Sequence, residues 1–207
     1  FWGMQKYFNL NIVDNEITSK IEDTIDKLSE KGLIIQELDE INWPYNPLDI
    51  FMIMWQAGAA NLARKIKHSD YKKMEPSILK FIENGNKFSM FDIMDVEEKR
   101  AANAIHMKNI FTEFNAIIGP TLPVLPFSNT KNVPDGCSSE SLFSWLPFTY
   151  PFNLTKNPSS NLNIGFSISG LPIGLQIVSD IYEDKNCFEL AFFIEGLVNL
   201  TNKWPKI

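Results

Sequence analysis

The sequence predicts an α/β fold, a β-sheet flanked by helices that ends in a β-hairpin and a closing helix. Three observations predict it. Residues 14–41 pass from helical to strand-like periodicity across a two-residue break, the order that builds an α/β layer. Residues 162–178 hold two alternating runs around "SGLP", and residues 183–198 return to helical spacing. With 207 residues, 44% hydrophobic and 13% aromatic, the chain can fill a sizeable core. No internal repeat or linker interrupts it, so one domain over 1–207 is expected.

Taken in order, Ile17, Ile21, Ile25 and Leu28 recur at helical spacing, with Asp14 as cap and Gly32 as stop. "LIIQELDEI" then reads as a strand, and "WPYNP" breaks the chain. Residues 48–67 read as a helix whose first half is apolar on nearly every side, as in a helix buried between other elements. A short helix is expected over 75–83. Ser89 opens "SMFD", a capping-box-like start to a long helix reaching about Glu113, with Ile93, Ala101, Ile105 and Phe111 as its apolar stripe.

"FNAIIGPTLPVLPF" reads as a short strand running into a loop. From 120 to 158 the chain holds seven prolines and no clear periodicity, and a loop that long is commonly functional. In the hairpin, Leu162, Ile164, Phe166 and Ile168 share one face, with Asn163, Gly165 and Ser167 opposite. Ile173, Leu175 and Ile177 likewise oppose Gly174, Gln176 and Val178. The closing helix carries Cys187, Leu190, Ala191, Ile194 and Val198 at core spacing.

Bulk properties exclude several functions. A net charge of -6 and a pI near 5.0 argue against nucleic acid or an anionic membrane as partner. Cys137 and Cys187 are too few for a disulfide framework, which points to a reducing compartment, the cytoplasm. No apolar run approaches the ~18 residues of a membrane span. The chain begins at Phe1, not methionine, which leaves a processed product, a trimmed chain and a piece of a longer protein as the readings. "NLT" occurs at 153–155 and 199–201, and chance explains it better than glycosylation.

His68 and His106 stand far apart and outside any metal-binding unit, and no glycine-rich phosphate loop exists. The serines of "DGCSSES" and "PSSN" lack a nucleophile elbow and read as loop residues. "DVEEKR" reads as a solvated helix surface. Residue chemistry alone therefore yields no complete active site.

Three segments in order carry a resemblance: "FNAIIGPTLPVLPF", "PFNLTKNPSS" and "GLPIGLQIVSD", followed by a closing helix. Together they resemble the C-terminal part of the amidase signature family, over essentially the whole chain. The resemblance implies a mixed sheet flanked by helices and a hydrolase of carboxylic amides. It implies a Ser–cis-Ser–Lys triad, but both the serine segment and the lysine precede the matched region, so no catalytic residue is expected here. Neither metal nor organic cofactor is implied.

Two departures stand out: Lys156 replaces the glycine usual after Asn-Leu-Thr, and Asn115 stands where many members have aspartate. The expected partners are a small amide substrate and the N-terminal part of the same parent protein, with a homodimer left open. Thr121, Trp145 and Phe152 are expected to contact substrate, since a hydroxyl and aromatic surface suit a pocket with few polar groups. Asn153 is expected to tie its own loop. Gly174 and Gln176, facing Gly165 and Ser167 of the neighbouring strand, are expected to admit the backbone of the catalytic Gly/Ser-rich loop or its neighbour, which this chain lacks, and to bond to it. The amidase-like component of a tRNA-dependent amidotransferase and a non-catalytic remnant are the alternatives.

Overall fold

The computed structural model describes residues 13–38, 40–135, 137, 143 and 145–200. In chain order the elements are α1 (Asn15–Glu30), α2 (Pro47–Ala63), a 3-10 helix (His68–Lys73), α3 (Pro76–Gly85), α4 (Met90–Ile110), β1 (Ile117–Pro120), α5 (Tyr150–Thr155), β2 (Ser159–Phe166), β3 (Pro172–Val178) and α6 (Asp184–Val198). They fall into two compact units. One takes in the described residues up to Asn42 and from Met107 onward, the other Trp43–His106.

The larger unit is built on a three-stranded antiparallel sheet, ordered β1-β3-β2. One sheet face, with Ile118, Ile164, Ile173, Leu175 and Ile177, joins the stripe Ile17, Ile21, Ile25 and Leu28 of α1 and Cys187 and Ile194 of α6 in one core. The stripes expected of α1 and α6 are therefore the ones buried, with Leu190, Ala191 and Val198 packed against them. Asp14 caps α1, its carboxylate accepting from the Glu16 N–H at 2.8 Å, and Gly32 leaves the helix at φ 88°.

The hairpin departs from simple alternation. Asn163 pairs with Gly174, but the next pair is Gly165 with Ile173, so a bulge inserts one residue at Ile164. Gly165 thereby turns toward α1, where a Cβ would lie 2.8 Å from Lys20 Cε. The expected pairing of Gly165 and Ser167 with Gly174 and Gln176 is corrected: Asn163 and Asn161 stand opposite them.

Four other expectations change. "LIIQELDEI" forms no ladder over its described residues; Leu38 makes an isolated bridge and Ile34 is 99% exposed. Its β-propensity is not realised beyond that bridge, because a strand exists only through pairing. The long proline-rich stretch contains α5, a helix too short to show periodicity, with proline in its first turn.

In the smaller unit, α2 is not buried all round. Trp55 and Leu62 are 47% and 61% exposed, while α3 covers another side. Gly85 makes that approach close, since a Cβ there would fall 2.0 Å from the Gln56 carbonyl oxygen.

In α4 the capping box at Ser89 forms, its N–H and hydroxyl donating to the Asp92 carboxylate at 2.7 Å each. The expected stripe does not: Ile93 and Ile105 are exposed, and Val96, Asn103 and Met107 are buried instead. Counting apolar residues overlooks Asn103, which is buried because its amide donates to the Tyr45 carbonyl (2.9 Å) while its oxygen accepts the Tyr45 N–H (3.1 Å).

Candidate functional site

The three motif segments converge on β3. Leaving β1, Thr121 donates its N–H to the Gly174 carbonyl at 3.0 Å and its hydroxyl to the Asn161 side-chain oxygen at 3.0 Å. Gly174 is what admits it, because a Cβ there would lie 2.8 Å from Thr121 Oγ1 and 3.2 Å from its Cβ. The approach at Gly174, expected from the backbone of a segment outside this chain, is made instead by a side chain of this same protein.

Gln176 is buried, and its amide donates to the Phe148 carbonyl at 2.8 Å. One residue past β3, the Ser179 carbonyl accepts from Asn157 Nδ2 at 2.8 Å, and the Ser179 N–H donates to Pro158 at 3.1 Å. Thr155 Oγ1 in turn donates to Asn157 Oδ1 at 2.7 Å. These bonds strap the segment 148–158 along the strand. Every buried polar group named here has a partner, which makes the strap rigid.

Within the strap, Phe152 is 2% exposed, and its carbonyl accepts the Asn157 N–H at 3.1 Å. Asn153 is exposed, and its amide bonds the Thr149 carbonyl at 3.2 Å, one helical turn back. Lys156 ends α5 in the left-handed region, at φ 62° and ψ 27°. That is glycine's conformation, held here by a lysine.

Trp145 meets Phe127 edge to face, with ring centroids 5.2 Å apart at 88°. Its indole N–H is buried and has no hydrogen-bond acceptor among the described residues. The structure therefore gathers Thr121, Gly174 and Asn161 at one end of the sheet and ties Gln176 to Phe148. Asn161, Asn157 and Ser179 escaped sequence reasoning; alternating polar residues across from Gly174 and Gln176 were the available signal.

Elsewhere the chemistry is quiet. Among the described residues no group of three or more His, Cys, Asp or Glu could hold a metal ion. No helix among them is long and apolar enough to cross a membrane. Burial pushes the Cys187 thiol above its usual range, despite a Ser179 hydroxyl at 3.2 Å, so it is a poor nucleophile. Ser138, Ser139 and Ser141 lie outside the described residues, as does Asp39.

The Amidase family model matches residues 3–188. The chain belongs to the amidase signature family. The A component of the glutamyl-tRNA(Gln) amidotransferase of Halothermothrix orenii is 20% identical over 226 residues, covering 98% of this chain and 46% of the relative. Its counterpart in Enterococcus faecalis is 30% identical over 100 residues, 48% of this chain and 20% of the relative. A 6-aminohexanoate cyclic dimer hydrolase shares the fold with a TM-score of 0.79 at 18% identity, over 92% of this chain and 43% of that one. The chain thus spans less than half the length of these relatives.

Proposed function

We propose that this chain is the C-terminal portion of an amidase that hydrolyses carboxylic amides to an acid plus ammonia or an amine. A Ser–cis-Ser–Lys triad is supplied by an N-terminal part of the same parent. One observation carries the reading: the family match runs along nearly the whole chain, yet the chain spans only 46% of a relative's length. The 207 residues form one functional domain, inactive alone, in the cytoplasm and without a cofactor.

In this reading Thr121 and Trp145 line the substrate pocket, while Phe152, expected to contact substrate, is too deeply buried to do so and instead joins Asn153, Gly174 and Gln176 in holding that wall in place. The Trp145 N–H, which has no acceptor among the described residues, supports it, because a buried donor left without a partner is costly and an amide carbonyl would satisfy it. Purified alone, the chain should turn over no simple amide, and joined to its upstream segment it should; robust turnover by the chain alone overturns the proposal. In the joined enzyme, Trp145→Phe should raise KM about fivefold or more, as loss of one substrate hydrogen bond would.

A second reading is the corresponding part of the amidase-like component of a tRNA-dependent amidotransferase, favoured by the names of the two curated relatives above. Copurification of the parent with the other components of such an enzyme, and glutaminase activity dependent on them, would select it.

A further inference from the structure

Unit Trp43–His106 holds a cleft of about 420 Å³, within the size range of ligand sites. Its walls include Met54, Trp55, Gly58 and Leu62 of α2, Ile66 beyond it, and Met74 ahead of α3, and every lining residue is apolar. Trp55, stacked on Phe51 with centroids 5.4 Å apart, and Leu62 are nevertheless exposed. A concave apolar surface open to water is a binding feature more often than a packing one.

The chain between two of its walls, Ile66 and Met74, belongs to the run "RKIKHSDYKK" at 64–73. This run sets Arg64, Lys65, Lys67, Lys72 and Lys73 against the single carboxylate Asp70, in a protein of net charge -6. Lys73 is paired with Asp70 at 2.6 Å. Arg64, Lys65, Lys67 and Lys72 form no ion pair among the described residues. The run is anchored beside the cleft: Tyr71 donates its hydroxyl to the carbonyl of Ala63, another wall residue, at 3.1 Å.

We propose that this cleft takes the apolar chain of an anionic amphiphile, a fatty carboxylate, with its headgroup against the cations of 64–73. Charge complementarity selects the carboxylate over a neutral chain, and the concave shape selects a single molecule over a bilayer. The site uses no residue of the strapped β3 wall and stands apart from the amidase reading.

Gly58→Leu tests the cleft without endangering the fold. A Cβ at Gly58 meets nothing within 4 Å, and leucine is the better helix former. The full chain is titrated with monomeric dodecanoate, following the fluorescence of Trp55, with Trp55→Phe identifying that signal. Saturable binding is expected, abolished by Gly58→Leu. The triple variant Lys65→Glu, Lys67→Glu, Lys72→Glu should weaken dodecanoate about tenfold or more and leave dodecanol within about twofold, since only the former carries charge. Equal binding of dodecanoate and dodecanol, indifference to either variant, or binding confined to vesicles of anionic phospholipid would each overturn the proposal.

Discussion

Replacing Lys156 by glycine should stabilise the protein. Lys156 closes α5 at φ 62°, its N–H donating back to the Phe152 carbonyl, with a side chain that is exposed. An L-residue in this left-handed conformation is strained by roughly 1–2 kcal/mol. Glycine removes that strain but gains freedom in the unfolded chain, which offsets about 0.5–1 kcal/mol. The net gain is about 0.5–1 kcal/mol, a rise in Tm of about 1–4 °C for a chain of this length. Urea denaturation of Lys156→Gly beside Lys156→Ala measures it, because alanine keeps the Cβ while removing the charge. Equal stability of the two variants would refute the reasoning, since the gain would then come from the lysine side chain and not from the backbone.

Three further outcomes are expected. Asn103→Ala should cost about 2 kcal/mol in urea denaturation, because it strips the Tyr45 N–H and carbonyl of their partners; a neutral result would mean water replaces the amide. Gly174→Ala should destabilise by roughly 1–3 kcal/mol, with Thr121→Ala in the same chain recovering part of the loss, and no recovery would place the clash elsewhere. For Cys187, burial makes the folded chain hold the thiol proton more tightly than the unfolded chain does. Its contribution is full below the ordinary thiol pKa of about 8.5 and falls as pH rises toward the folded value, so Cys187→Ala should flatten the alkaline loss of stability.

The legible parts of the fold are those in which each residue's type and its burial agree. The isoleucine stripe of α1, the alternation of β3 and the spacing of α6 all face one core, and amphipathic periodicity reads them directly. What stayed hidden depends on partners distant in sequence. Asn103 is buried for the sake of the Tyr45 backbone, and Gly174 lacks a side chain for the sake of Thr121. The bulge at Ile164 shifts the pairing by one residue, which no alternation count can register. The basic run 64–73 vanishes in an acidic total, and only the cleft beside it gives it meaning. Motif order is the stronger guide to the family, because it reflects a backbone arrangement and not a local propensity.

The sheet order β1-β3-β2 also bears on how the chain reaches its native state. β2 and β3 close through a short turn, whereas Ile117 must find Val178, and α1 must find strands near the opposite end of the chain. Closing long loops is entropically slower, so the hairpin is expected to organise before β1 and α1 join it. Leu175→Ala should therefore slow refolding, while Ile21→Ala should chiefly speed unfolding; the reverse pattern would place α1 in the nucleus. On a ribosome, Ile17, Ile21, Ile25 and Leu28 emerge well before Leu175 and Ile177 exist to cover them. Until they do, that stripe lacks the sheet that covers it and is a natural client for chaperones.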